Sequence, residues 1–346
     1  MRILTTTARR HPAAVAATGA ALALLLAGCG STAPTSSDTE EAGSGGGWEY
    51  TDDTGQTISL DAPPENVVVQ VNAAAALVDL GFEPTAVFGP RELADGEPDP
   101  QAGDVDPETP SVGTEWGEFD MESYLALEPD LVITIAYGDA LWYVPEESTE
   151  QIEDAAPILA VQLQDVPADE AVQKFTDLAA ALGADVDSEA VTSAQEDFDA
   201  ASAELAAATE ANPDVSVMAT NTSADLMNVA KPGFFSDLSY FQAQGVEFVE
   251  PDGGEAPNWH DLSWEQASTY EADVILADTR PNSLPADDLA DIPTWAELPA
   301  VQADQVGGWH AETPMSHSKL TPVIRELAEL IEGPLSAGSR PRSIHL

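Results

Sequence analysis

The chain has 346 residues, with 62 acidic and 11 basic side chains, a formal net charge of −51 and one cysteine. At roughly 150 residues per domain the length suits about two domains, and an apolar content of 43% is enough to build cores despite the charge. The charge excludes a nucleic-acid binder and a polybasic membrane patch, which both need basic surface; the lone cysteine excludes an intrachain disulfide, a Cys-rich zinc site and a Cys-ligated iron–sulfur cluster.

Residues 1–28 read as a secretory leader. Arg2, Arg9 and Arg10 precede a small and apolar run from Ala13 to Ala27, with no acid before Cys29. That pattern is a signal peptide rather than a spanning helix. Its end, Leu25-Leu26-Ala27-Gly28-Cys29, resembles a bacterial lipobox, in which the cysteine is lipidated and opens the mature protein. A membrane anchor or a plain leader with an incidental cysteine would be the ordinary alternatives, but the only cysteine stands where the lipobox needs it. Residues 29–47 are rich in Ser, Thr, Gly and acid, which predicts a flexible tether. The acidity of the remainder suits high salt or a cation-rich wall, where screening relieves self-repulsion.

From Trp48 onward, apolar β-branched runs alternate with helical patterns. Strands are predicted at Val67–Val71, Ala86–Phe88, Leu131–Ile135, Ile158–Val161, Val215–Ala219, Val246–Val249, Val274–Ala277 and Gln305–Gly307. Helices are predicted at Ala73–Asp79, Met121–Leu127, Thr149–Ala156, Phe234–Gln244, Trp264–Thr269, Thr294–Leu298 and Pro322–Ile331. Continuous apolar strands separated by helices indicate an α/β fold with mainly parallel sheets. Two Ala-rich helices, Ala168–Leu182 and Ser188–Ala211, interrupt the alternation. The second would be ~36 Å long at 1.5 Å per residue and stops at Asn212-Pro213. The expected organisation is a first lobe over residues 48–187, a connecting helix over 188–211 and a second lobe over 212–346.

The two halves echo one another. Glu122-Ser-Tyr-Leu-Ala-Leu-Glu128-Pro-Asp130 followed by Leu-Val-Ile-Thr134 aligns with Glu265-Gln-Ala-Ser-Thr-Tyr-Glu271-Ala-Asp273 followed by Val-Ile-Leu-Ala277. Asp120 and Ser263 take matching N-cap positions two residues before each glutamate. Common helix–strand grammar can also produce such an echo.

Several segments together resemble a known family. Tyr50 to Pro64 followed by Val67-Val-Val resembles the opening of bacterial iron–siderophore substrate-binding proteins. Gly117 to Glu122 with Asp130-Leu-Val-Ile, Ser263-Trp-Glu265 with Asp273-Val-Ile-Leu, and Pro293 to Val306 resemble three later blocks in the same order. The resemblance is to receptors of ATP-binding-cassette importers for ferric siderophores, cobalamin and haem, and spans nearly all of Trp48 to Glu332. It implies two Rossmann-like lobes, one long backbone helix and a ligand cleft between them.

The resemblance also implies roles for residues. Glu122 and Glu265 would each pair with an arginine of the permease, although a glutamate at a helix start is also explained by the macrodipole alone, worth ~0.3–1 kcal/mol. The cleft would be lined where strands end and helices begin: Asn72, Arg91, Trp116 and Tyr137 in the first lobe, and Asn221, Phe234, Phe235, Trp259, Arg280, Trp309 and His310 in the second. Each has an ordinary alternative, such as core packing for Trp116 or Phe235 and a surface ion pair for Arg280. The ligand expected is a ferric siderophore with its iron already coordinated, so the protein needs no cofactor, metal ligand or catalytic group. Lys174, Lys231, Arg91, Arg280, Lys319, Arg325, Arg340 and Arg342 are the only basic side chains after the leader, which favours a neutral or cationic hydroxamate over a trianionic tricatecholate. Cobalamin and haem are the alternatives within the family, with Tyr137 or His310 as a haem ligand. A direct metal receptor would use His260, His310 and His317 but would lack first-lobe imidazoles. No Gly-x-Ser-x-Gly, His-Glu-x-x-His or phosphate-loop motif supports a hydrolase, and a surface adhesin would explain the anchor but predicts no cleft. The expected partners are the permease with its ATPase and, through the lipid alone, the membrane; the receptor itself is expected as an extracytoplasmic monomer.

Overall fold

In the computed structural model, which describes residues 47–333, the apolar runs become the centres of two sheets. The leader, Cys29, nearly all of the tether and Arg340 and Arg342 lie outside the described residues. The first lobe opens with the hairpin β1 (Trp48–Thr51) and β2 (Thr57–Leu60). It continues with β3 (Val67–Gln70), α1 (Val71–Asp79), β4 (Ala86–Phe88), α2 (Met121–Ala126), β5 (Leu131–Tyr137), β6 (Ala140–Leu141), α3 (Thr149–Ala155), β7 (Ile158–Gln162) and α4 (Ala168–Ala181). Then α5 (Glu189–Ala211) leads into β8 (Ser216–Thr222), β9 (Leu226–Ala230), α6 (Ser236–Ala243), β10 (Glu247–Phe248), β11 (Trp259–Ser263) and β12 (Val274–Asp278). Three short helices, α7 (Ala286–Ala290), α8 (Pro293–Ala296) and α9 (Pro299–Gln302), precede β13 (Val306–Trp309) and α10 (His317–Glu332).

The parallel cores share one topology. In the first lobe the order is β4-β3-β5-β7; in the second it is β10-β8-β12-β13. In both, the first strand of the lobe lies between the second and third. The interior strands are covered on both faces, so every residue of β3 is buried, as continuous apolar runs require.

The internal echo has a physical counterpart. The Asp130 carboxylate accepts from the amides of Glu65 and Asn66 at 3.0 and 2.8 Å, just before β3. Asp273 accepts from the amide and hydroxyl of Ser216 at 2.9 and 2.8 Å, at the start of β8. Each aspartate precedes the third strand of its lobe and clamps the start of the first. The caps correspond as well: Asp120 accepts from the amides of Glu122 and Ser123, and Gln266 reaches back to the amide of Ser263 at 3.3 Å.

Some elements differ from their predicted form. The last helix begins at His317 rather than Pro322, because Ser316 caps it and accepts from the Lys319 amide; proline, usually a first-turn residue, here lies inside the helix. The segment read as Phe234–Gln244 divides into a 3₁₀ turn over Pro232–Phe234 and α6. Trp264–Thr269 is a 3₁₀ helix, so Glu265 keeps its second position on a tighter turn than Glu122. The strand pair β9 and β11 was not predicted; it is antiparallel, and β11 is mostly polar.

α5 is capped by Ser188, which accepts from the Val191 amide. Its buried face carries Val191, Phe198, Ala201, Leu205 and Ala208, spaced three, four or seven residues apart as a one-sided helix demands. α10 returns alongside it: the Phe198 and His317 rings meet edge to face at 5.2 Å, and Arg325 pairs with Glu204 at 3.2 Å.

Candidate ligand-binding site

The carboxyl ends of the central strands carry a continuous chain of aromatic rings. Trp116 meets Trp142 and Tyr143 edge to face at 4.8 and 5.0 Å, and Trp142 meets Tyr137 at 5.0 Å. Tyr137, the last residue of β5, stacks across the lobes on Phe234 at 6.1 Å with the planes 10° apart. Phe235 contacts Phe234, Trp259 and Trp309 at 5.2, 5.0 and 4.9 Å. Six of the predicted site residues, Trp116, Tyr137, Phe234, Phe235, Trp259 and Trp309, therefore belong to one cluster.

Their exposure differs. Trp116 is 61% exposed, whereas Trp309 is 1% exposed and donates its indole N–H to Asp237 at 2.7 Å. Trp309 thus backs the wall while Trp116 forms its outer lip. Burial raises Asp237 to about 6, against the opposing hydrogen bond from Trp309. Burial also holds the Tyr137 phenol above its ordinary range, with Glu312 adding to the effect.

Trp142 and Tyr143 also join the wall and are not among the residues predicted from the sequence. Their signal was the aromatic pair just past β5. Tyr143 has φ 61°, a left-handed conformation costly for a bulky side chain; non-glycine residues in such conformations gather at functional sites.

Charged and polar candidates lie around the rings. Arg280 reaches Asp278 through Nε and Nη2, the latter at 2.6 Å, and Glu312 through Nη1 at 3.3 Å. Burial opposes the guanidinium charge, yet Asp278 and then Glu312 hold its pKa above the ordinary value. Burial likewise raises Glu312, outweighing Arg280. Asn221 donates to Asp278 at 2.9 Å. Asn72 is 4% exposed and donates to the Glu312 carbonyl at 2.6 Å, tying the first lobe to the second. Two further ties are the Ser236 hydroxyl to the Leu163 carbonyl at 3.0 Å and the Asp165 amide to the Phe234 carbonyl at 3.3 Å.

Two candidates stand apart from the rings. Arg91 donates to the carbonyls of Pro107 and Thr109 at 3.1 and 2.8 Å and so fastens its own loop. His310 is held between Thr279 and Glu326, each at 3.3 Å. Glu122 and Glu265 are both exposed at the starts of their helices, and neither belongs to the ring cluster.

Two lobes with sheets of one topology, a long linking helix and an aromatic wall at the strand ends define a solute-binding protein. The family model for periplasmic binding proteins matches residues 67–313, and the chain belongs to that family, a transport component rather than an enzyme. It is similar to the solved structure of DesE, a ferric-siderophore receptor protein from Streptomyces coelicolor, at 40% identity over 82% of this chain and 98% of that one, with a TM-score of 0.78. The fold alone is shared with SirA of Staphylococcus aureus, solved with staphyloferrin B, at 18% identity over 82% and 98% of the chains and a TM-score of 0.60. It is also shared with the siderophore periplasmic binding protein from the fuscachelin gene cluster of Thermobifida fusca, at 20% identity over 78% and 97% and a TM-score of 0.57. No curated protein sequence matches significantly. Among the described residues no helix is long and apolar enough to cross a membrane.

Proposed function

We propose that this protein is a lipid-anchored extracytoplasmic receptor that captures a ferric siderophore of hydroxamate type and delivers it, as a monomer, to an ATP-binding-cassette permease. The observation that carries the reading is the 40% identity to a ferric-siderophore receptor over 98% of its length. The ring cluster supports it, because a bulky, partly apolar chelate is held by aromatic faces with a few oriented polar groups. No bond is made or broken by the protein.

The hydroxamate preference rests on the state of the cations. Arg280 is held by two carboxylates and Arg91 by two carbonyls. Lys174 pairs with Asp53, Lys319 with Asp104 and Arg325 with Glu204, while Lys231 donates to the carbonyls of Gly254 and Ala256. Every basic side chain among the described residues is thus engaged within the protein, and a trianionic tricatecholate would have to draw these partners apart. Against haem, both His310 ring nitrogens have partners.

Quenching of the seven tryptophans by ferrioxamine, ferric enterobactin, haem and cobalamin tests the ligand. Ferrioxamine should bind most tightly; tighter binding of ferric enterobactin at matched salt would overturn the hydroxamate assignment. Cys29→Ala tests the anchor and should move the protein from the membrane to the soluble fraction without changing ligand affinity.

A further inference from the structure

We infer that the permease-docking face carries an apolar anchor on each lobe, Leu125 beside Glu122 and Leu226 beside Glu265, so that the partner is a membrane protein presenting a cation next to an apolar recess at two points. This rests on the permease-delivery reading above and adds to it an interaction that the glutamates alone do not supply.

Among the described residues the large exposed hydrophobics are Trp116 at 61%, Leu125 at 52%, Val306 at 38% and Leu226 at 37%. Trp116 is the lip of the aromatic wall, and Val306 begins the edge strand β13. Of the other two, Leu125 is three residues from Glu122, and Leu226 is the cross-strand partner of Ser263, two residues before Glu265.

In the first lobe the neighbour relation is helical. Leu125 follows Glu122 by three residues on α2, and residues at that spacing share a face. Tyr124, fully buried, donates its hydroxyl to the Ile152 carbonyl at 3.0 Å and fixes the helix against α3. Glu122 and Leu125 are therefore presented outward on a helix that cannot roll.

In the second lobe the relation is across a sheet. Leu226 is the cross-strand partner of Ser263, which caps the helix bearing Glu265. Trp264, next to Glu265, donates its indole N–H to the Ser223 carbonyl at 3.1 Å, and Ser223 and Leu226 close the hairpin with a 2.8 Å hydrogen bond. Trp264 thus ties the turn holding Leu226 to the helix holding Glu265. The two leucines are thus brought near the glutamates by different backbone routes.

The physical logic is that of an interface core. An exposed carboxylate pairing with a cation is individually weak in water. An apolar side chain next to it excludes water on docking, adds burial of its own and strengthens the ion pair.

The test has two arms. A photo-crosslinking amino acid is placed at position 125, 226 or, as a control, 196 on the exposed face of α5, in cells of the source organism. Crosslinks from 125 and 226, but not 196, to an integral membrane protein of permease sequence are expected. Equal labelling from 196, or none from 125 and 226, overturns the inference. In the second arm, uptake of radiolabelled iron as ferrioxamine is compared for Leu125→Ser with Leu226→Ser and for Glu122→Ala with Glu265→Ala, with tryptophan quenching on each purified protein. The leucine pair should lower uptake on the order of tenfold or more with ligand affinity unchanged. Loss in the glutamate pair with full uptake in the leucine pair removes the apolar anchors and leaves docking standing; full uptake in both removes both.

Discussion

The two lobes share a frame and differ in what is hung on it. In each, the third strand is preceded by an aspartate that ties down the start of the first, Asp130 and Asp273, and by a capped helix with a glutamate at its second position, Glu122 and Glu265. Beyond this shared frame the lobes diverge. The first contributes Tyr137 from the end of β5 and Trp116, Trp142 and Tyr143 from loops; the second contributes Phe234, Phe235 and Trp259 from a 3₁₀ turn and an antiparallel strand pair absent from the first. A partner that meets both lobes needs equivalent points, whereas an asymmetric ligand needs unlike walls. We accordingly propose that the repeated glutamates serve docking and the divergent parts the ligand.

The sharpest way to break this division is to remove both glutamates. Glu122→Ala with Glu265→Ala should nearly abolish iron uptake in cells while quenching titrations show unchanged ligand affinity, and each single change should impair uptake in part. A collapse of affinity in the double variant would place these residues on the ligand side of the comparison. The converse is Phe234→Ala, which removes the ring stacked across the lobes on Tyr137. Ligand affinity should fall by about tenfold or more, as loss of an aromatic anchor does, measured by quenching of the remaining tryptophans.

Asp237 is a feature of the second lobe alone. Its folded pKa of about 6 exceeds the ordinary 3.8, through burial. A raised acid favours the folded state when protonated, so this contribution is complete below about pH 4 and is lost as pH rises to about 6. At 1.36 kcal/mol per pKa unit it amounts to about 3 kcal/mol. Asp237→Asn keeps an acceptor for Trp309 and should remove that part of the pH dependence, read from urea unfolding at pH 4.5 and pH 7. An unaltered pH profile would show that Asp237 does not titrate in this window. The smallest effects should come from the clamps: Asp130→Ala and Asp273→Ala should each cost about 0.5–1.5 kcal/mol by handing partly exposed strand-end donors back to water. Costs differing several-fold would show that the two aspartates are alike in sequence position but not in role.

How much was legible follows from burial. Strands covered on both faces, such as Val67–Gln70 and Leu131–Tyr137, stand out as apolar runs. β11 was missed because Trp-His-Asp-Leu-Ser is mostly polar and only Leu262 is fully buried; its neighbours in the sheet, rather than its own pattern, make it a strand. Most of the aromatic wall was found by looking past strand ends. Trp142 and Tyr143 were not: the pair stands beyond the strand end, and the left-handed backbone that turns Tyr143 into the wall has no sequence signature of its own.

The sequence by itself determined the α/β class, the long connecting helix, the capped glutamates and the repeat, because these depend on periodicity and on contacts between neighbours in the chain. Only the tertiary structure decided which rings meet and which charges remain free. Arg280 looked available as a ligand group until Asp278 and Glu312 were found on it, and Trp309 looked like a wall until Asp237 and the surrounding rings enclosed it. Leu125 and Leu226, 101 positions apart in the sequence, became a pair only when folding left both in water near the two glutamates. Exposure and partnership depend on groups distant in the chain, and no local pattern encodes them.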